Sequence, residues 1–162
     1  MSNTVKDLLE KADSYAKAND NNEAIMWYTK AIELDPKCEE AYASRGSCYR
    51  KIKAYEKAIE DANKVLELNP KSEDAYRARA YNQGDNGDYF AAIADFTEAI
   101  RLNPKNTFSY IGRSAAYGFL MEYDKGITDL EAALRIDPND AQLNAQIKQF
   151  IETFERRKAE NQ

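Results

Sequence analysis

The sequence predicts an all-α array of antiparallel helix pairs, and three observations carry that reading. The four prolines, Pro36, Pro70, Pro104 and Pro138, each stand 34 residues after the last. Each sits inside a near-identical phrase: AIELDPK at 31–37, VLELNPK at 65–71, AIRLNPK at 99–105 and ALRIDPN at 133–139. Between the prolines, Ile and Leu recur at helical spacing, which places them on one face.

The period does not rest on proline alone. Small–apolar pairs begin 12 residues before each proline: Ala24-Ile25, Ala58-Ile59, Ala92-Ile93 and Gly126-Ile127. Ile32, Leu66, Ile100 and Leu134 lie four before it, and Leu34, Leu68, Leu102 and Ile136 lie two before it. Tyr42, Tyr76 and Tyr110 lie six after a proline, and Gly46, Ala80 and Ser114 lie ten after one. Proline lacks an N–H and drives the residue before it out of the α conformation. Each phrase therefore ends the second helix of a pair and turns the chain into the next pair. The small residues let paired helices approach closely. One hairpin cannot bury its apolar face alone, so the next hairpin must cover it.

Taken in order, helices are expected at 6–18, 22–35, 40–52, 56–69, 74–86, 90–103, 108–120, 124–137 and 141–157. Asp85-Asn86-Gly87-Asp88 and Asn19-Asp20-Asn21-Asn22 read as tight turns within a pair, because Asn and Gly tolerate left-handed backbone. Lys53 and Met121 occupy the same place without that advantage. After Pro138 the period stops but helix continues. Leu143, Ile147, Phe150, Ile151 and Phe154 form one apolar stripe, expected to cover the open face of the last pair. The alternative for that helix is a dimerisation or partner-docking role. The tail ERRKAENQ is expected to fray, and the chain to be a monomer unless that last helix pairs.

Composition narrows function. Charged residues make up 31% of the chain, the net charge is −5, and histidine is absent. The commonest general base and metal ligand is therefore missing. An acidic chain is poorly suited to nucleic acid, where binding rests on neutralising phosphate. The charge is uneven: residues 39–72 hold 7 Lys+Arg against 6 Asp+Glu, and residues 107–140 hold 3 against 6. No run approaches the roughly 18 apolar residues of a membrane span, and MSNTVKDLLEK lacks the apolar core of a signal peptide. Cys38 and Cys48 make a poor disulfide framework, which favours a reduced, cytoplasmic setting. Neither cysteine has a histidine to activate it. There is no Gly-rich phosphate loop. The sequence thus gives no catalytic, cofactor or metal site, and an enzyme is not expected.

The repeated pattern resembles the tetratricopeptide repeat: a bulky residue, a small one four on, an aromatic three further, then Ala, an aromatic, Ala and Pro. The matches run Leu8, Ala12, Tyr15, Ala24, Tyr28, Ala31, Pro36 in 5–38, and Tyr42, Gly46, Tyr49, Ala58, Ala62, Val65, Pro70 in 39–72. They continue as Tyr76, Ala80, Ala92, Phe96, Ala99, Pro104 in 73–106, and Tyr110, Ser114, Tyr117, Gly126, Leu130, Ala133, Pro138 in 107–140. Departures are Ala62 and Gln83 for aromatics and Gly126 for alanine. The resemblance implies four repeats with those bounds, a capping helix over 141–158, and a right-handed superhelical array.

Position 7 of the four repeats reads Lys11, Arg45, Arg79 and Arg113, and position 23 reads Trp27, Asp61, Asp95 and Asp129. Arg and Asp occur together and are lost together, which points to structural pairs, since the guanidinium fork meets a carboxylate bidentately. The other reading is a cationic ladder for an acidic ligand.

The resemblance also implies a concave surface lined by first-helix positions 2, 5, 9, 12 and 13. These include Ser47 and Arg50 in the second repeat, Arg77 and Tyr81 in the third, and Phe108, Ile111 and Phe119 in the fourth. The groove runs from polar to apolar, and clustered apolar side chains mark interfaces. Coverage of the last three by the final helix is the other reading. Family members that act as heat-shock co-chaperones grip carboxylates with Lys, Asn and Arg. The matching sites here are Leu9, Asp13, Ser44, Asp74 and Ala78, which lack that clamp. The function expected is a protein–protein interaction module or adaptor holding a peptide segment in its groove. The alternative is a small acidic secretion-type chaperone protecting an apolar client segment.

Overall fold

A computed structural model of the chain describes residues 4–160. Among them are nine helices: α1 (Val5–Lys17), α2 (Asn21–Leu34), α3 (Glu39–Lys51), α4 (Tyr55–Leu68), α5 (Glu73–Asp85), α6 (Tyr89–Leu102), α7 (Thr107–Phe119), α8 (Tyr123–Ile136) and α9 (Ala141–Glu160). No strand occurs among the described residues. Each helix packs on its neighbours in sequence, and the first helices α3, α5 and α7 also touch one another side by side. They form the inner face of the array.

The first eight helices begin and end one residue earlier than the sequence spacing suggested. At the ends of α2, α4, α6 and α8 the cause lies at the proline. Asp35, Asn69, Asn103 and Asp137 have φ between −128 and −137 with ψ between 83 and 95, outside the helical region. The following ring excludes α backbone there. These residues also form Asx turns across the proline. Each side-chain oxygen accepts the N–H two residues on: Lys37 at 3.0 Å, Lys71 at 3.3 Å, Lys105 at 3.2 Å and Asn139 at 3.2 Å. Helix starts are capped by Thr4, Asp20, Ser72, Asp88 and Asn106, whose side chains accept first-turn N–H groups. The turns within pairs all pass through left-handed backbone, at Asn19 (φ 60), Lys53 (φ 61), Gly87 (φ 91) and Met121 (φ 60). At Lys53 and Met121 the packed helices on either side impose a conformation that costs roughly 1 kcal/mol.

The core is built from small side chains. Ala12, Ala24, Ala31, Ala41, Ala80, Ala92, Ala99 and Ala133 are fully buried. The Ile and Leu positions expected to form the buried face are only half-buried, and Leu34 is 55% exposed. Alanine permits the close helix approach, so the larger residues are displaced to the edges of each contact.

The Arg and Asp positions are structural pairs. Arg45 grips Asp61 with bonds of 3.0 and 2.6 Å, Arg79 grips Asp95 at 2.6 and 2.7 Å, and Arg113 grips Asp129 at 2.8 and 2.7 Å. Each guanidinium has a third bond, backwards, to the second helix of the preceding pair: Thr29 at 3.0 Å, Asn63 at 2.7 Å and Thr97 at 3.0 Å. One arginine thus fastens three helices. Tyr42, Tyr76 and Tyr110 lie over the guanidinium groups, with 5.6, 5.5 and 5.9 Å to the ring centroids. In the first pair Lys11 lies 3.7 Å from the centroid of Trp27, so a cation–π contact replaces the ion pair.

The last helix covers α8, and two glycines explain how. The ring of Phe154 rests where a Cβ on Gly118 or Gly126 would stand, at 2.5 and 2.6 Å. Gly126, a departure from the repeat pattern, is therefore the seat of a ring from α9. Ile147 is fully buried and Phe154 nearly so, with Leu143 and Ile151 packed beside them. Phe150 leaves the expected stripe and is 49% exposed. The tail expected to fray is helical to Glu160, and Lys158 pairs with Asp124 on α8. Met1–Asn3 and the last two residues of the tail lie outside the described residues.

Two outcomes are expected from chemical denaturation. Arg79→Ala leaves the Asp95 carboxylate buried and unpaired and lowers stability by about 1–3 kcal/mol. An unchanged midpoint would remove the structural role assigned to the pair. Gly126→Ala forces the Phe154 ring out of its seat and costs about 1–3 kcal/mol. The check is faster amide exchange across α9, with α1–α6 unaffected.

Candidate partner-binding groove

Three clefts run along the inner face. The first, about 350 Å³, lies between α3, α4 and α5 and is lined on its first-helix side by Ser47, Arg50, Arg77 and Tyr81. The second, about 250 Å³, lies between α5, α6 and α7 and includes Tyr81, Asp85, Tyr89 and Phe119. The third, about 250 Å³, lies between α7, α8 and α9 and includes Ile111, Phe119, Phe150 and Arg157. Tyr81 is shared by the first two and Phe119 by the last two, so the clefts form one continuous path.

The polar end is already wired internally. Arg50 Nε donates to Asp85 Oδ2 at 2.9 Å, and its guanidinium carbon lies 5.1 Å from the Tyr81 ring centroid. Arg77 bonds Glu73 at 3.3 Å and also pairs with Asp74. Burial works against the charge of Arg77, but Asp74 and Glu73 outweigh it and its pKa rises. Tyr81 donates its hydroxyl to the Phe108 carbonyl at 3.0 Å and meets Phe96 edge-on, with ring centroids 5.0 Å apart. Burial pushes its pKa up, so it stays a neutral donor. Ser47 is exposed. Asp74, whose side chain is 80% exposed, leaves this stretch with more carboxylate than cation.

The apolar end divides. Phe108 is 57% exposed and Phe119 is 66% exposed, so α9 does not cover them. Phe119 stacks on Tyr89 with centroids 4.6 Å apart and planes 5° from parallel. Ile111 differs: it is half-buried against the cluster of Tyr123, Leu130, Ile147 and Phe154. Phe108 lies in none of the clefts but anchors their rim through its carbonyl. Phe150, Arg157 and Tyr89 belong to the path and were not singled out from the sequence. Phe150 stood in the apolar stripe of α9, and the spacing alone did not separate it from the buried members.

No group of three or more His, Cys, Asp or Glu is placed to hold a metal ion among the described residues. No helix is long and apolar enough to cross a membrane. Cys38 and Cys48 are free thiols, and burial pushes the Cys48 thiol pKa up.

Models of the tetratricopeptide repeat match residues 39–72, 74–106 and 109–140, and a TPR repeat model matches 12–53. No curated protein sequence matches the chain. Among solved structures, MamA superposes with a TM-score of 0.80 at 24% identity, covering 96% of this chain and 88% of that one. The first TPR of Spaghetti (RPAP3), bound to the HSP90 peptide SRMEEVD, has a TM-score of 0.70 at 26% identity, covering 72% of this chain and 93% of that one. The Arabidopsis OM64 TPR domain has a TM-score of 0.66 at 25% identity, covering 69% and 93%.

The Arg50–Asp85 pair is nearly half exposed, with side-chain exposures of 46% and 39%. Arg50→Ala is therefore expected to shift stability by less than about 1 kcal/mol. Denaturation of this variant beside Arg79→Ala separates groove residues from fastenings.

Proposed function

The chain belongs to the tetratricopeptide repeat family, and on that premise we propose that it is an adaptor holding a peptide segment of a partner protein in its inner groove. The family supplies the coarse statement, a protein–protein interaction module. The observation that carries the finer one is the path of clefts ending in the exposed Phe119 beside Phe150, with Phe108 exposed at its rim. Apolar anchors of this kind hold most of the binding energy in an interface. The partner segment is apolar or mixed and lies across the third and fourth repeats. Arg77 and Tyr81 flank it, and Ser47 and Arg50 continue the path toward the second repeat.

The RPAP3 domain, bound to the HSP90 peptide SRMEEVD, is a case of this fold holding a peptide, an acidic one. An acidic peptide placed likewise here would meet Asp13 and Asp74, where the co-chaperone clamp has Asn and Lys. The reading therefore excludes that ligand. The proposal includes a monomeric, non-enzymatic protein in a cytoplasmic setting, consistent with its two free thiols.

Phe108 and Phe119 make better probes than Ile111, because a charge at Ile111 would strike the core of the last repeats. In quantitative capture from native extract, Phe108→Ala and Phe119→Ala are each expected to deplete the bound partner by about 2 kcal/mol, roughly thirtyfold. The helical signal should be unchanged. Undiminished capture by both variants moves the interface to the outer face.

A further inference from the structure

Position 24 of each repeat fills one kind of space. In the first repeat it is Tyr28, 2% exposed, whose hydroxyl bonds Asp13 at 2.5 Å and whose ring packs with Cys48 of the next repeat. In the third it is Phe96, also 2% exposed, edge-on to Tyr81 and packed with Ala116. In the fourth it is Leu130, 1% exposed. Each side chain fills the gap between its own pair and the first helix of the next unit. In the second repeat the position is Ala62. The gap there stays open as the first cleft, about 350 Å³, the largest of the three along the groove.

The wall of that gap is also altered. Where Tyr28 meets Cys48 and Phe96 meets Ala116, the register places Asn82, which lines the cleft and is only 3% exposed. Its Nδ2 donates to the Ala78 carbonyl at 2.8 Å. Its Oδ1 is buried and has no partner among the described residues. A buried acceptor without a donor is costly, and it lines the same cleft as Ala62, where the other repeats carry a larger side chain.

We propose that the Ala62–Asn82 cleft is a socket for a tyrosine side chain of the partner segment, its ring replacing the absent aromatic and its hydroxyl donating to Asn82 Oδ1. The chain itself shows that a phenol fits the equivalent space, since Tyr28 seats one beside Cys48, the counterpart of Asn82, with its hydroxyl on Asp13 of its own first helix; at Asn82 the acceptor stands on the opposite wall. Arg50 and Tyr81 frame the mouth, so an entering side chain reaches the socket from the groove. The source of the tyrosine rests on the groove reading, but the socket's chemistry does not. Apolar recesses take up aromatic molecules, and Ala58, Ala62, Val65 and Ala75 give this cleft its apolar wall. A donor on the ring adds selectivity, because a ring without one leaves the acceptor unpaired.

The test is titration of the full chain, isotope-labelled, with N-acetyl-tyrosinamide and N-acetyl-phenylalaninamide, followed by amide NMR shifts. Saturable shifts at Ala62, Ala78 and Asn82 are expected, with the tyrosine compound bound about tenfold more tightly. Asn82→Ala should abolish that preference. Ala62→Phe should abolish the shifts and raise the thermal midpoint, because it restores the missing ring. If Ala62→Phe does not fold, Ala62→Leu, the choice of the fourth repeat, replaces it in the same test. Absence of saturable shifts, equal affinity for the two compounds, or binding that survives a folded filling variant would overturn the proposal. So would binding of p-cresol without N-acetyl-tyrosinamide, which would assign the socket to a free phenol. No partner is needed, so failure here is distinct from failure of capture by the Phe108 and Phe119 variants.

Discussion

Everything in the array depends on one guanidinium fork, used three times. Arg45, Arg79 and Arg113 each bond an aspartate on the second helix of their own pair and a hydroxyl or amide oxygen on the second helix of the pair before. The three bonds are geometrically incompatible with a helix that has slipped or rotated. A displaced arginine would leave an aspartate buried without a cation, which is destabilising. The pair's contribution to net stability is smaller than the cost of breaking it, because both groups were desolvated to make it. Its value lies in fixing which helix faces which. The threonines fit the task well: the Thr29 and Thr97 hydroxyls donate to their own helix, at 2.7 Å each, and accept from the arginine. The donors and acceptors are thus closed on both sides.

That fixed spacing explains the alanine core. With helices held close, only small residues fit between them, and departures from smallness are matched by departures elsewhere. Phe96 fits because the next repeat offers Gly112, where a Cβ would stand 2.3 Å from the ring. Phe154 fits because Gly118 and Gly126 both yield. Ala62 has no such counterpart, and space remains. The groove inherits this: its clefts fall between units, where one side chain too few or too many decides how deep the path becomes.

The period, the pairing of Arg with Asp and the closing helix were legible in the sequence, because each repeats or conforms to a simple spacing. The backward bond was not, since Thr29, Asn63 and Thr97 differ in type and threonine is common on helices. Helix ends were misplaced by one residue: Asp35 and its equivalents were kept inside the helix although the following proline, already recognised as a breaker, places them outside it. The inner positions of the groove were legible only through resemblance. Their exposure was not, because whether α9 covers Phe119 or Ile111 depends on the angle at which it crosses α8. Gly126 read as a flaw until a phenylalanine 28 residues later supplied the reason.

The chain also writes its own punctuation. In the first repeat Lys11 and Trp27 take the places of arginine and aspartate, and a cation–π contact stands where the later repeats have the fork. At the back, α9 begins in the register of a fifth unit, yet the place 34 residues after Arg113 is held by Ile147, wholly buried. The second, third and fourth repeats are thus joined to their predecessors by directional polar links, while the corresponding places in the first repeat and in α9 hold π and apolar contacts. A copied interior unit could be spliced between any two others and find matching bonds on either side. Register is thus encoded locally, in a few side-chain positions, and an array of this kind can lengthen by duplication from within.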